Sequence, residues 1–211
     1  FVTGMDEAGV LMEALGKLKW CLGMHVERSE CGDVMISQEA YIADILEKAG
    51  MSECRTRSTP ADPAVQLSLK DCPQTEKEKV EALELFSEYR SIVGSLLYLA
   101  LCTRPDISYA VGQLSKYVSN PGEAHWQQLK HLLRYLKGTP GIGIRYKCKQ
   151  CMLAEGGAIN TIVGYCDSDW GRDIDRRRSV SGHVMMCNGG PISWRSKNQS
   201  TTALSSTEAE Y

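Results

Sequence analysis

Three carboxylates near the end of the chain have the residue types and spacing to bind a divalent cation. The run TIVGYCD, residues 161–167, is typical of a β-strand and ends at Asp167. Asp169 lies on the same side as Asp167 if the strand continues, because side chains alternate across the pleat. Glu210 follows in the segment SSTEAEY. Carboxylate oxygens suit Mg2+, and paired ions can activate water against a phosphodiester. An ordinary solvated loop is the alternative.

The start of a predicted helix separates two glutamates in that last segment. Ser205, with Glu208 three residues later, matches a capping box, in which two side chains bond the first backbone N–H groups of a helix. Glu208 therefore has a predicted structural role, whereas Glu210 points elsewhere around the helix and is free to face a sheet. We expect Asp167, on the first strand of a sheet, to meet Glu210, on the helix after the third strand.

The cysteines predict reduced thiols and no zinc site. The chain has nine cysteines, an odd and scattered set that is typical of a cytosolic or nuclear protein and not of a disulfide framework. Cys148 and Cys151 form one CKQC pair. A zinc site needs about four ligands, no second pair lies at zinc-ribbon spacing, and the histidines are dispersed. We therefore expect no zinc here.

Hydrophobic periodicity predicts a hairpin and several helices before residue 140. CLGMHVER and VMIS, residues 21–28 and 34–37, resemble two strands joined by a turn, and the first half of residues 11–28 favours a helix. The next helix has Ser37 as its predicted N-cap and ends at Gly50. Further helices are predicted from near Glu76 to residue 102 with a break around residues 85–87, over residues 105–120, and over residues 122–139.

The pattern changes to strands after residue 140. GIGIRYKC, residues 141–148, alternates as a strand does, and TIVGYCD predicts a second strand. Residues 181–199 predict a hairpin with NGG as its turn, and the last residues are helical again. A helix-rich middle followed by strands and a helix predicts a mixed α and β protein.

Charge is divided unevenly along the chain. Residues 1–103 carry 10 basic and 17 acidic side chains, residues 104–150 carry 8 and 2, and residues 151–211 carry 6 and 7. The basic middle favours contact with a polyanion. Lys130, Arg134 and Lys137 lie at i, i+4 and i+7 on one face of a predicted helix. They form either a solvated surface or a stripe that follows phosphates.

The sequence predicts neither a membrane span nor a secretion signal. The longest apolar stretch, residues 92–102, is too short to cross a bilayer. The first residues lack the basic and apolar segments of a signal peptide. We expect a cytoplasmic or nuclear protein that is not secreted. Because the chain has no initiator Met and no evident stop, we also expect a fragment of a longer protein.

Several long motifs resemble the Pol polyproteins of Ty1/copia-type retrotransposons. YCDSDWGRDIDRRRSVSGHV followed by GGPISWRSKNQSTTALSSTEAEY is similar to the start of their ribonuclease H domain. The segment from EYRSIVGSLLYLA to GIGIRY resembles their connecting region, and LKWCLGMHVER with ISQEAYIADILEKAGM resembles the end of their reverse transcriptase. The resemblance implies a division into residues 1–60, 61–150 and 151–211.

This resemblance implies a fold and an activity. The fold would be α+β/α/β, with a helical connecting region followed by the truncated start of a ribonuclease H-like mixed sheet. The parent protein would copy RNA into DNA and hydrolyse the RNA strand of RNA–DNA hybrids with two Mg2+ ions. Asp167 and Glu210 would be catalytic metal ligands, and Asp169 a less suitable ligand. The implied partners are an RNA–DNA hybrid or other nucleic acid and the rest of the Pol polyprotein, without a membrane.

Departures from the family pattern limit these expectations. The paired aspartates of a YVDD-type polymerase hairpin and the downstream ribonuclease H carboxylates are absent from the sequence. We therefore expect this chain alone to be inactive. The alternative is a non-enzymatic nucleic-acid-binding module that uses Lys130, Arg134 and Lys137. In the turn GRDIDRRR, the arginines either balance Asp173 and Asp175 on a solvated surface, which we favour, or reach a phosphate, for example through Arg177.

Overall fold

The computed structural model describes residues 16–210. Within them the chain forms helices and two small antiparallel sheets, which confirms the mixed α and β class. The helix expected in the first half of residues 11–28 lies largely outside the described residues. In this part of the chain no helix is long and apolar enough to cross a membrane.

The first sheet joins the N-terminal hairpin to a strand that lies far along the chain. It consists of β1 (Trp20–Cys21), β2 (Met24–Arg28), β3 (Val34–Ser37) and β4 (Ile144–Tyr146), in that order. The antiparallel pairing of β2 with β3 confirms the predicted hairpin. Val34, the first residue of β3, lies opposite Tyr146, the last residue of β4. The turn before β3 and the segment after β4 are therefore neighbours.

Helix α1 (Glu39–Lys48) follows the hairpin, but its predicted N-cap is wrong. Ser37 is the last residue of β3, where its backbone is extended, and the cap position belongs to Gln38. The side chain of Gln38 does not cap the helix; its Oε1 accepts a hydrogen bond from Thr103 Oγ1 at 2.8 Å. The predicted end is correct, because Gly50 adopts a φ of 63°, a conformation that glycine tolerates.

A group of helices forms the core of the protein. They are α2 (Glu76–Leu85), α3 (Tyr89–Cys102), α4 (Ser108–Ser115) and α5 (Glu123–Gly138). The break predicted around residues 85–87 is confirmed, whereas α4 ends at Ser115, earlier than predicted. One face of α1 packs into the same core, so the helices share one hydrophobic interior. Its fully buried members include Ile42, Leu96, Leu99, Leu129, Leu132, Leu133 and Leu136.

A fully buried arginine ties the end of α3 to the end of α5. Arg104 Nε and Nη2 donate to the Asp106 carboxylate at 2.9 and 2.8 Å, and Nη1 donates to the carbonyl oxygen of Thr139 at 2.8 Å. Tyr135 Oη also donates to Asp106 Oδ2, at 2.8 Å. Burial raises the pKa of Asp106, but the hydrogen bonds and charge of Arg104 and the Tyr135 hydroxyl hold it below its usual range. The guanidinium is thus paired and satisfied, as a buried charge requires.

His125 caps the start of α5 from a buried position. Its Nδ1 accepts a hydrogen bond from the Gly122 backbone N–H at 2.9 Å, so the neutral ring carries its proton on Nε2. The ring packs against Tyr117, with centroids 4.1 Å apart and the ring planes tilted by 31°. Burial lowers the pKa of His125, because the charged form loses its hydration.

His125 should make the protein less stable in mild acid. Its folded-state pKa lies below the unfolded value of about 6.5, so the unfolded chain takes up the proton first as the pH falls. The contribution of His125 to the free energy of unfolding is complete above about pH 6.5 and is lost as the pH falls through the folded-state pKa. Urea unfolding at about pH 7.5 and about pH 5 should show this loss.

Two histidine variants distinguish the effect of His125 on stability from that of other titrating groups. His125→Asn should flatten the pH dependence, whereas His183→Asn, at an exposed position, should retain it. An identical pH dependence in the wild type and His125→Asn would contradict the assignment.

The second sheet follows after the short helix α6 (Lys149–Ala154). It consists of β5 (Ile162–Ser168), β6 (Val180–Cys187) and β7 (Gly190–Asn198), all antiparallel and in sequence order. Asn188 and Gly189, at φ 49° and 80°, form the turn and confirm the predicted NGG hairpin. Trp194 Nε1 donates to the carbonyl oxygen of Ala100 at 2.8 Å, so the sheet packs against α3. Helix α7 (Ser206–Glu210) ends the described part.

Candidate functional site

A cleft separates the second sheet from the start of α4. Its volume is about 640 Å³. Asp106 and Tyr109 lie on the helical side, and Asp167, Arg172 and Trp194 lie on the side of the sheet. The predicted carboxylate Asp167 therefore borders a space that is open to a ligand and carries both acidic and basic groups.

Asp167 is exposed near the end of β5. Its partner across the strand pair is Gly182 on β6, which has no side chain to cover the carboxylate. Because side chains alternate along a strand, Tyr165 shares the face of Asp167, as predicted. Tyr165 lies opposite Val184, which in turn lies opposite Trp194, so this face of the sheet is the one that packs towards α3.

The structure brings Glu210 to the same end of β5. Glu210 Oε1 accepts a hydrogen bond from the backbone N–H of Ser168, the residue after Asp167, at 3.3 Å. The expectation that Glu210 faces the sheet is confirmed by this contact. Gln199 holds the helix in place, since its Nε2 donates to Ser181 Oγ at 2.8 Å and to the carbonyl oxygen of Ala209 at 2.6 Å.

Glu208 has the structural role that the capping pattern predicts. The backbone N–H of Glu208 donates to Ser205 Oγ at 3.1 Å. Glu208 Oε2 accepts from the backbone N–H of Leu204 at 2.8 Å, one residue before the predicted position. The carboxylate of Glu208 is therefore used in capping, and that of Glu210 is directed to β5.

Asp169 closes the loop between β5 and β6. Its Oδ1 accepts from the Val180 backbone N–H at 2.8 Å, and its own N–H donates to the Val180 carbonyl oxygen at 3.1 Å. One of its two carboxylate oxygens thus has a partner within the protein. A role for Asp169 as an additional metal ligand stays a prediction, and its contact with Val180 already gives the residue a structural function.

The interpretation of GRDIDRRR as a solvated turn is wrong for Asp173, whereas Asp175 is exposed as expected but also contacts the helical core. Asp173 is 8% exposed and accepts hydrogen bonds from Lys116 Nζ at 2.8 Å and Asn198 Nδ2 at 2.7 Å. Both oxygens of Asp175 accept from the Leu69 backbone N–H at 3.0 Å, and Oδ2 also accepts from Tyr117 Oη at 3.0 Å. These aspartates attach the second sheet to the helical core and are not balanced by the neighbouring arginines.

Removing the Asp173 carboxylate should loosen this attachment. Burial raises the pKa of Asp173, but Lys116 and the other hydrogen-bond donors hold it below its usual range. Asp173→Ala leaves Lys116 and Asn198 without their acceptor, so we expect a loss of about 2 kcal/mol in the free energy of unfolding. Urea unfolding measures this change, with Asp44→Ala, at an exposed position on α1, as the control. Equal stability of the two variants would contradict the prediction.

Two arginines of the same turn differ in their surroundings. The guanidinium of Arg172 lies 5.9 Å from the Tyr109 ring centroid, across the cleft. Arg177 is exposed and adopts a left-handed backbone conformation, with φ 54°. Its backbone N–H donates to the Asp173 carbonyl oxygen at 2.7 Å, which holds the turn while the side chain remains accessible. Contact between Arg177 and a phosphate stays a prediction.

The basic stripe on α5, defined by Lys130, Arg134 and Lys137, is half-buried. Lys130 Nζ lies 5.6 Å from the Trp126 ring centroid. The backbone N–H of Arg57 donates to the Arg134 carbonyl oxygen at 3.2 Å, so a further exposed arginine lies beside the stripe. Sequence reasoning missed Arg57, because it lies in a connector without periodicity.

The expectation that zinc ligands are too few has to be corrected. Cys31 and Asp33, in the turn before β3, lie beside Cys148 and Cys151, which follow β4. One ligand atom of each residue lies within 4.8 Å of those of the other three. The ligands are not recognisable from their spacing in the sequence, because only the pairing of β3 with β4 brings these distant residues together.

Comparison with known proteins identifies relatives along almost the whole chain. The chain is 43% identical over 201 residues, 95% of its length, to the "Retrovirus-related Pol polyprotein from transposon TNT 1-94" of Nicotiana tabacum. It is 40% identical over 195 residues, 92% of its length, to the "Retrovirus-related Pol polyprotein from transposon RE1" of Arabidopsis thaliana. It is also 38% identical over 200 residues, 95% of its length, to an uncharacterized mitochondrial protein of A. thaliana, of which it covers 75%.

The chain corresponds to only a small part of each polyprotein. The chain spans 14% of the tobacco polyprotein and 12% of the A. thaliana polyprotein. No protein-family model matches the chain. No solved structure matches it either.

Proposed function

Because the chain belongs to the copia-type retrotransposon Pol polyproteins, we propose that its last part begins a ribonuclease H-like domain. In the polyprotein this domain hydrolyses the RNA strand of an RNA–DNA hybrid. We further assign residues 1–60 to the end of the reverse transcriptase, residues 61–150 to the connecting region, and residues 151–211 to the nuclease. The polyprotein copies RNA into DNA with residues that lie outside this chain.

One observation carries the nuclease proposal. Glu210 accepts a hydrogen bond from the backbone of Ser168, next to Asp167, although the two acidic residues are far apart in sequence. Asp167, on a strand, and Glu210, on a later helix, thus lie at the same end of β5. Such an arrangement suits a cation that takes oxygen ligands and keeps several waters.

The donor set fits Mg2+ on chemical grounds. Asp167 and Glu210 are both exposed and offer hard oxygen ligands. Asp169 has one carboxylate oxygen left after its bond to Val180 and is the less suitable third ligand. When bound, Mg2+ would supply activation of the attacking water and stabilisation of the leaving oxygen.

Other residues near Asp167 orient the carboxylates or supply charge for the phosphates of the hybrid. The Ser168 backbone N–H orients the Glu210 carboxylate. Arg172, which lines the cleft, and Arg177, on the neighbouring turn, supply positive charge for the phosphates of the hybrid. Asp173 fixes the turn that carries both arginines.

Cleavage of a labelled RNA–DNA hybrid tests the proposal. A Pol polyprotein that carries this sequence should cut the RNA strand when Mg2+ is present and stop when the ion is chelated. A DNA duplex of the same sequence should remain intact. Cleavage of the hybrid at the same rate without a divalent cation, or no cleavage in any condition, would overturn the proposal.

A second candidate function is binding of nucleic acid without catalysis, through the basic stripe on α5. Arg57 beside Arg134 favours this candidate, because it enlarges the positive surface beyond the three predicted residues. Neutralising Lys130, Arg134 and Lys137 to Gln should weaken binding to a hybrid and reduce its salt dependence by about one phosphate contact for each residue. Neutralising Lys70, Lys77 and Lys79 instead is the matched control.

A further inference from the structure

We propose that Cys31, Cys148 and Cys151 bind a thiophilic divalent cation such as Zn2+, with the Asp33 carboxylate as the fourth ligand. This site lies on the first sheet and does not depend on the proposed nuclease function. Two segments far apart in sequence supply the ligands. Cys31 and Asp33 lie in the turn between β2 and β3, whereas Cys148 is the N-cap residue of α6 and Cys151 lies in its first turn.

The distances between the ligand atoms suit a tetrahedral site. Cys31 Sγ and Cys151 Sγ are 3.5 Å apart, and all four ligand atoms lie within 4.8 Å of one another. Zn–S bonds of about 2.3 Å in a tetrahedron separate two sulfur atoms by about 3.8 Å. A single ion can therefore reach all four groups with small side-chain movements.

The ligands are held in place by their neighbours. Asp33 Oδ1 accepts from the Cys148 backbone N–H at 2.8 Å, and Oδ2 accepts from Arg145 Nε and Nη2 at 3.0 and 2.6 Å. The Ser29 hydroxyl lies 3.0 Å from Cys31 Sγ. The Cys151 backbone N–H donates to Cys148 Sγ at 3.4 Å, a contact that favours a thiolate. Such hydrogen bonds around metal ligands orient them and tune their affinity.

The charge and chemistry of the donors select the ion. Three thiolates and one carboxylate carry four negative charges, of which a divalent ion offsets two. Arg145, already bonded to Asp33, offsets a further charge. Thiolates favour Zn2+ over the hard cations Mg2+ and Ca2+. Cys31 is exposed, so the ion has an open path to the site.

Cobalt substitution of the full 211-residue chain tests the site. The reduced protein is stripped of metal and titrated with Co2+, which gives thiolate-to-cobalt charge-transfer absorption and intense visible bands when it is tetrahedral. We expect one Co2+ per chain, displacement of Co2+ by Zn2+, and a higher melting temperature with Zn2+. The carboxylates at β5 contain no thiolate and cannot produce the charge-transfer signal.

Two variants make the result decisive. Cys31→Ser, in an exposed turn, should lower the affinity for Co2+ by more than the roughly 10–100-fold that loss of an outer-shell partner costs. Cys54→Ser, away from the cluster, should bind as the wild type does. Absence of the thiolate signal in the reduced wild type, or equal affinity in Cys31→Ser, would overturn the proposal. The proposal would also be overturned if the two cysteines Cys31 and Cys151 formed a disulfide and the protein bound no metal after that disulfide was reduced.

Discussion

Replacing Asp167 by Asn should reduce RNA-strand cleavage by a Pol polyprotein that carries this sequence at least about 100-fold. The physical reason is the loss of a charged oxygen ligand, since a bound metal ion supplies several kcal/mol of transition-state stabilisation and each 1.36 kcal/mol corresponds to a factor of ten. Asn has nearly the same shape, and Asp167 is exposed, so the fold should persist. The measurement is the initial rate on a labelled hybrid in saturating Mg2+.

Glu208→Ala is the informative control for that experiment. It removes a nearby carboxylate that is used in helix capping, so we expect a loss of about 1 kcal/mol in unfolding free energy and an unchanged cleavage rate. If Glu208→Ala abolished cleavage without changing stability, the roles of Glu208 and Glu210 would have been exchanged. Retained Mg2+-dependent cleavage by Asp167→Asn would remove Asp167 from the site.

Replacing Arg104 by Met should lower the free energy of unfolding by about 3–5 kcal/mol, the cost of breaking a buried ion pair by removing one partner. Methionine fills part of the volume but donates no hydrogen bond. The Asp106 carboxylate and the Thr139 carbonyl oxygen would lose their bonds to the guanidinium. The joint between the ends of α3 and α5 would open, and urea unfolding at neutral pH measures the loss.

Arg90→Met supplies the matched comparison, because Arg90 is exposed on α3. We expect a change within about 0.5 kcal/mol there, as for most surface substitutions. A similarly small change in Arg104→Met would show that the buried guanidinium does not hold the helices together.

Local patterns accounted for most elements of the fold, although helix α6 was not predicted. The leucines at positions 129, 132, 133 and 136 repeat at helical spacing, and they are the buried face of α5. The NGG turn demands positive φ values, and Asn188 and Gly189 adopt them. Such signals depend on neighbours in sequence, so they could be read without the structure. The same local reasoning connected Asp167 with Glu210, because strand alternation and helix capping both act within a few residues.

Contacts between distant segments were not predictable in this way. Asp173 looked solvated because its partners Lys116 and Asn198 lie far from it in sequence. Ser37 is a good helix cap by type, but pairing in β3 extends its backbone and moves the helix start. Cys31 joins Cys148 only because β3 and β4 pair. In each case tertiary structure decided the role of a residue whose sequence neighbours carried no signal.

β3 and β4 pair in the first sheet, but they lie far apart in sequence. They therefore leave the ribosome at different times. Residues 34–37 are made long before residues 144–146, which complete their pairing. At synthesis rates of roughly 5–20 residues per second, the hairpin waits about 5–20 s for its partner strand. During that interval its outer edge is open to pairing with other chains. The first sheet is thus completed only after the helices from α1 to α5 have been synthesised, although three of its strands are made before them.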